Sequence, residues 1–218
     1  LVLRIREKKI AGINVTVPFK QKIIPYLDCL SPEAEKTQSV NTVNLDKGKI
    51  VGYNTDIEGF EFSMRDIKFD ITNKEILILG AGGVVPSLIY ALNKFKNSKI
   101  TLTNRTRDKA ENIKKLFNNI KLIDWGELIN FDMVINATSL GLNKEDKINI
   151  NFSENVKNKF FYDIIYNPNE TNFLKQGKKL GNTVENGKMM FIHQASISFK
   201  IWHKIKPEIN NNLIEILN

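Results

Sequence analysis

With 218 residues, 42% of them hydrophobic and 26% charged, the chain has the composition of a soluble globular protein and the length for one large domain or two modest ones. No apolar run is long enough to span a bilayer, and Leu1-Val2-Leu3 gives way at once to Arg4, Arg6, Lys8 and Lys9 without the apolar core of a secretory signal, so the cytoplasm is the expected compartment. One cysteine (Cys29) and two histidines (His193, His203) exclude an internal disulfide and argue against a metal site, while the charge of +8 is spread along the chain with no basic, aromatic-interleaved stripe for nucleic acid.

In chain order, the alternation Ile13, Val15, Val17 predicts a strand, and Pro18 suits the first turn of a helix, so Lys20 is expected to project from a helix start. A lysine there is commonly no more than a solvated charge. A second strand is expected over Ser39–Asn44, with Asn41 near its centre, followed by Gly52-Tyr53-Asn54-Thr55-Asp56-Ile57-Glu58-Gly59. Thr55 and Glu58 have capping-box spacing, which puts Asp56 in the first turn of a helix. The helix dipole favours a carboxylate at that place, so a structural role for Asp56 stands beside a chemical one.

From Glu75 to Asn136 the pattern is β-α-β. Strand Ile76–Leu79 runs into Gly80-Ala81-Gly82-Gly83 and a helix to about Phe95. Strand Lys99–Thr103, helix Thr106–Phe117, a short strand near Leu122 and strand Met133–Ile135 follow. Continuous apolar strands alternating with helices predict a parallel sheet covered on both faces, the architecture of a dinucleotide-binding half. Gly80 permits a tight turn, and Gly82 lets the backbone approach a pyrophosphate at a helix N-terminus. Val85 occupies the third small-residue position of that pattern and is expected to hold the helix slightly farther from the strand. The second strand ends in Asn104-Arg105-Thr106-Arg107 with no acid for a ribose, so these residues are read as a cradle for a 2′-phosphate. One charge-assisted hydrogen bond of that kind contributes roughly 1.5–3 kcal/mol, about one to two orders of magnitude in favour of NADP over NAD. An N-cap followed by exposed arginines is the alternative.

Later segments add Asn136-Ala137-Thr138-Ser139-Leu140-Gly141, Asp163-Ile164-Ile165-Tyr166-Asn167-Pro168-Asn169-Glu170-Thr171 and Asn186-Gly187-Lys188-Met189-Met190, then Gln194-Ala195, Phe199 and Trp202. Taken with Asn14-Val15-Thr16-Val17-Pro18-Phe19-Lys20, Val40-Asn41-Thr42-Val43 and the segments above, this ordered series resembles the shikimate dehydrogenase family. The resemblance runs from about Gly12 to Trp202. It implies NADPH-dependent, reversible reduction of 3-dehydroshikimate to shikimate, a step in making chorismate and the aromatic amino acids. By it, Lys20 and Asp56 are the catalytic pair, and Thr16, Asn41, Tyr166 and Gln194 contact substrate. Gly80, Ala81, Gly82, Gly83, Asn104, Arg105, Thr106 and Arg107 hold NADP(H), with Thr138, Ser139 and Gly187 at the nicotinamide end and Gly187 admitting the ring. No metal is implied. Asn14 is expected to shape its turn, and Phe199 and Trp202 to pack in the core.

The implied fold is α/β in two domains: a small α/β catalytic domain, residues 1–69 with 187–218, and a Rossmann-like NADP-binding domain with a parallel sheet, residues 70–186. The chain would be a monomer or homodimer acting on a small molecule. The family's Ser-x-Ser-Pro segment and nearby His-Asn are not found, so the catalytic domain is expected to lack its N-terminal part, and the chain to bind NADP while turning over poorly. A quinate/shikimate paralogue and a non-catalytic NADP-binding protein remain as alternatives, the latter disfavoured by retention of both Lys20 and Asp56.

Overall fold

Four short strands, β1 (Gly12–Asn14), β2 (Cys29–Leu30), β3 (Thr42–Asp46) and β4 (Lys49–Tyr53), form one sheet in the order β1-β3-β4-β2. The computed structural model describes residues 1–96, 98–143, 145–152 and 156–216. β3 and β4 are an antiparallel hairpin turning through Lys47-Gly48, both at positive φ, the conformation whose twist matches that of the flanking strands. Ile5 of helix α1 (Val2–Arg6) and Ala34 of α2 (Pro32–Thr37) pack with Val15, Val40, Val43 and Ile50 in a core. Ser31 caps α2 by accepting from the Ala34 N–H, with Pro32 in the first turn, where its missing N–H costs nothing.

Backbone contacts place these elements in a first unit, residues 1–68, 86–91 and 190–218. It holds α3 (Asp56–Asp66), whose Ile57, Phe60 and Met64 are buried at helical spacing, most of α7 (Lys188–His203), and α8 (Asn211–Glu215). The units part at 68/69, 85/86, 91/92 and 189/190. Residues 86–91, part of α4 (Val85–Leu92), group with the first unit: Asn54 Nδ2 donates to Ser87 Oγ at 2.9 Å, and Lys36 Nζ stands 6.0 Å from the Tyr90 ring centre.

The helix expected from Pro18 does not form. Residues 16–23 make turns, followed by a 3-10 turn over Ile24–Tyr26. A helix through Lys20 needs its carbonyl for the residue four on, but that carbonyl accepts from Val40 N instead, and Pro25 has no N–H to offer Gln21. β1 also stops at Asn14, leaving Val17 66% exposed.

The second unit, residues 69–85 and 92–189, is built on a six-stranded, wholly parallel sheet. Its strands are β5 (Glu75–Leu79), β6 (Lys99–Thr103), β7 (Lys121–Ile123), β8 (Met133–Asn136), β9 (Phe160–Asp163) and β10 (Thr183–Glu185). α5 (Arg107–Leu116) and α6 (Asn172–Lys179) belong to the same unit. The order β10-β9-β8-β5-β6-β7 reverses between β5 and β8, and ligands of such sheets bind at the strand C-terminal ends beside that reversal. Leu77, Leu79, Val134, Phe161 and Phe173 fill the core together with Phe131 and Phe152. Both faces of the central strands are covered, which is why they read as unbroken apolar runs.

Candidate active site

In the first unit, Asp56 opens α3, with its backbone N–H donating to Asn54 Oδ1 at 3.2 Å. The expected capping box is not made. Thr55 has φ −86° and ψ −8°, not the extended cap geometry, and its hydroxyl takes no α3 N–H. That hydroxyl faces Asn41 instead: Asn41 Nδ2 lies 2.9 Å from Thr55 Oγ1, and Asn41 Oδ1 accepts the Thr55 N–H at 2.8 Å. The backbone donor fixes which side of the amide is oxygen, so Nδ2 is the atom that faces the acid. It donates to Asp56 Oδ1 at 2.8 Å, while Lys20 Nζ donates to Oδ2 at 2.5 Å.

Both oxygens of Asp56 are therefore engaged, and the Lys20 and Asp56 side chains are only 12% and 8% exposed. Burying two charges costs several kcal/mol each, and the pair on balance stabilises little. The arrangement holds a proton-bearing ammonium directly against a carboxylate oxygen, largely out of solvent.

Gly59 brings Gln194 of α7 to this group. A side chain there would lie 2.9 Å from the Met190 carbonyl and from Gln194 Cβ; without one, Gln194 Oε1 reaches 3.4 Å from Asn41 Nδ2. Thr16 is exposed, and its hydroxyl has no partner among the described residues. Asn14 does not merely shape a turn: its amide donates to the Asn41 carbonyl at 3.2 Å and approaches Thr42 and Ser198. Thr42 and Ser198, with hydroxyls 2.7 Å apart, extend the same buried group and escaped the sequence reading. The available signals were the Asn41-Thr42 adjacency and the four-residue spacing of Gln194 and Ser198. Trp202 packs structurally, donating to the Val43 carbonyl at 3.0 Å. Phe199, expected in the core, is 40% exposed.

In the second unit, Gly80 sits at φ +107°, and a side chain on it would lie 2.8 Å from the Ala137 carbonyl. Gly82 is different, since among the described residues the one atom within 4 Å of its absent Cβ is Ala137 O at 3.6 Å, leaving that backbone face open to a ligand. Val85 is fully buried where α4 starts. Asn104 ties the glycine turn to the end of β6, accepting from Ala81 N at 3.1 Å and donating to Thr106 O at 2.7 Å. Arg105 and Thr106 are exposed, and the Arg105 side chain has no partner among the described residues. Arg107 is drawn away to acids, Glu111 at 2.9 Å and Asp124 at 3.0 Å.

At the ends of the neighbouring strands, Thr138 donates from both N and Oγ1 to Asn136 Oδ1, and Ser139 is exposed. Tyr166 is half-buried in the loop after β9. The space left by the missing side chain of Gly187 is filled by backbone: a Cβ would clash with the Ile164 carbonyl. Asp163, not singled out from the sequence, is fully buried. Burial pushes its carboxyl up to about 6 against the opposing hydrogen bonds from Thr171, Ile165 N and Asn136. Its signal was an acid closing an otherwise buried aromatic strand. Among the described residues no group of three or more His, Cys, Asp or Glu could hold a metal, and no helix is long and apolar enough to cross a membrane.

A parallel sheet that reverses its order beside an open glycine turn, with a polar lysine–carboxylate centre in a separate unit, defines a two-unit α/β protein of the Rossmann-like class. Residues 1–43 match the family described as shikimate dehydrogenase substrate binding domain, and residues 63–172 that described as shikimate/quinate 5-dehydrogenase. The shikimate dehydrogenase (NADP(+)) of Pelagibacter ubique is 57% identical over all 218 residues, which span 82% of that relative. Among solved structures, shikimate dehydrogenase from Aquifex aeolicus superposes with a TM-score of 0.86 at 37% identity, over 98% of this chain and 79% of that one. The Thermus thermophilus shikimate 5-dehydrogenase, solved with NADP(H) and shikimate, also has a TM-score of 0.86, at 27% identity over 99% and 80%. The chain belongs to the shikimate dehydrogenase family.

Proposed function

We propose that this chain is an NADP(H)-dependent dehydrogenase interconverting 3-dehydroshikimate and shikimate, with Lys20 as the proton-transfer residue. The observation that carries the reading is the buried Lys20–Asp56 pair, whose carboxylate is also held by Asn41. When bound, NADP(H) supplies or takes the hydride at the reacting carbon. In reduction the Lys20 ammonium gives a proton to the oxygen on that carbon; in oxidation the neutral amine takes it back. Asp56 orients the ammonium and the substrate hydroxyl. Thr16, with its open hydroxyl, and Gln194 and Tyr166 serve a substrate that is mostly hydroxyl and carboxylate.

The nucleotide suits the second unit's residues. The free backbone face of Gly82 is a cradle that a Cβ would fill, and Asn104, Arg105 and Thr106 give the end of β6 no acid that would repel a 2′-phosphate. Arg107, already paired with Glu111 and Asp124, is the weaker of the two arginines for that role. Thr138, Ser139 and Gly187 flank the nicotinamide end. A reducing cytoplasm is the compartment that fits the lone, exposed Cys29.

The test pairs two measurements on the purified chain: NADPH and NADH titration by fluorescence, and oxidation of shikimate and of quinate with NADP+ and NAD+. NADPH is expected to bind at least tenfold more tightly than NADH, and shikimate to exceed quinate in kcat/KM. Preference for quinate with NAD+, or failure to bind either nucleotide, overturns the reading.

A further inference from the structure

We propose that Asp163 is a positioning residue that sets the loops receiving the nicotinamide end of the cofactor, while contacting neither cofactor nor substrate itself. The inference rests on the assignment of Thr138, Ser139, Tyr166 and Gly187 made above, and adds a residue behind them.

Asn136 and Asp163 are register partners at the C-terminal ends of β8 and β9, so their side chains leave the sheet on the same face. The Asn136 amide orientation is fixed: Oδ1 accepts the Thr138 backbone N–H at 3.1 Å and its hydroxyl at 2.7 Å. Nδ2 is left to donate to Asp163 Oδ1 at 3.0 Å and to the Leu140 carbonyl at 3.1 Å. The same carboxylate oxygen accepts Ile165 N at 3.0 Å. Thr171 has equally little choice. Its oxygen accepts the Leu174 N–H as the N-cap of α6, so its proton goes to Asp163 Oδ2 at 2.6 Å.

One buried carboxylate thus ties three segments: the turn after β8 that carries Thr138 and Ser139, the loop after β9 that carries Tyr166, and the start of α6. Through Ile165, whose carbonyl accepts Gly187 N at 3.1 Å, it reaches a fourth. Leaving a carboxylate fully buried with only neutral donors for partners is costly. What it gains is charge-assisted hydrogen bonds, roughly twice the strength of neutral ones, in a place where loop geometry decides how a ligand is met.

The experiment compares two probes on the full chain. NADPH carries the nicotinamide, whereas 2′-phospho-ADP-ribose has the rest of the nucleotide without it. In Asp163→Asn and Thr171→Val, NADPH affinity is expected to fall about tenfold while affinity for 2′-phospho-ADP-ribose stays within twofold, and Thr171→Ser, which keeps the hydroxyl, restores NADPH binding. Equal weakening of both probes, or unchanged NADPH affinity in folded variants, overturns the proposal. Wild-type protein that binds neither probe refutes the functional reading instead. Using two variants keeps the test open should one fail to fold, which circular dichroism reports.

Discussion

Asp56 and Asp163 are both buried carboxylates at the end of a regular element, yet the two units treat them in opposite ways. Asp56 is met by an ammonium on one oxygen and by a single fixed amide on the other. Among the described residues Asp163 meets no cation, and it is shared among a side-chain amide, a hydroxyl and a backbone N–H. A carboxylate beside an ammonium has a neighbour able to change its protonation during a reaction, whereas one held by neutral donors has no such neighbour. On the reading proposed above, the contrast separates a site for moving a proton from one that holds a shape.

The largest expected effect tests the first half of that contrast. Lys20→Met is expected to lower turnover by a factor of about 10² to 10⁴, the usual contribution of a positioned acid–base group. Nucleotide affinity should stay unchanged. Steady-state kinetics of the variant that remained within threefold of wild type would reduce the pair to a structural ion bridge.

The second half makes a prediction about stability. Because burial raises the Asp163 carboxyl from 3.8 to about 6, its contribution to stability is fully present below about pH 4 and is lost as pH rises through 6. The loss amounts to about 3 kcal/mol. Asp163→Asn cannot titrate, so urea unfolding at pH 4.5 and 7.5 should show its stability gaining on that of wild type as pH rises. A pH-independent difference between the two proteins would contradict the assigned cause.

A smaller effect distinguishes the two arginines after β6. Arg105→Ala is expected to lower the NADPH-over-NADH preference about tenfold or more, since loss of one charge-assisted contact costs roughly 1.5–3 kcal/mol. Arg107→Ala, already committed to Glu111 and Asp124, should change it by less than threefold. Equal effects in parallel titrations would make the two interchangeable. The mildest change is Gly82→Ala. There is room for the methyl, with its nearest neighbour 3.6 Å away, so stability should shift by no more than about 0.5 kcal/mol. NADPH affinity should still fall about tenfold, because the methyl occupies the face offered to the pyrophosphate; thermal melts and titrations on one sample separate the two.

The parallel sheet could be read in the sequence because strands covered on both faces need apolar residues at every position, and β5, β6 and β8 lie within a residue or so of their expected ranges. Asn41, Gln194, Lys20 and Asp56 were each legible by family resemblance, and the structure brings these four into one hydrogen-bonded group. What local patterns missed were places where a distant partner claimed the group. The Lys20 carbonyl went to Val40, so no helix started at Pro18; the Thr55 hydroxyl went to Asn41, so no capping box closed. Asp163 was hidden for a related reason. Its role comes from register with Asn136, and no spacing within one strand encodes what lies opposite in another.

Gly12 and Trp202 have a practical consequence. A side chain at Gly12 would collide with the indole, whose N–H closes on Val43 of the adjoining strand, so that ring is fastened to the first unit's sheet. The other tryptophan, Trp125, packs against the second unit's core. Each unit thus carries its own fluorophore. With Trp125→Phe and Trp202→Phe as a matched pair, emission during denaturation reports each unit separately. Two coincident curves would mean one cooperative melt, and a lower midpoint for Trp202 would mean that the first unit's sheet can open while the parallel sheet stays folded.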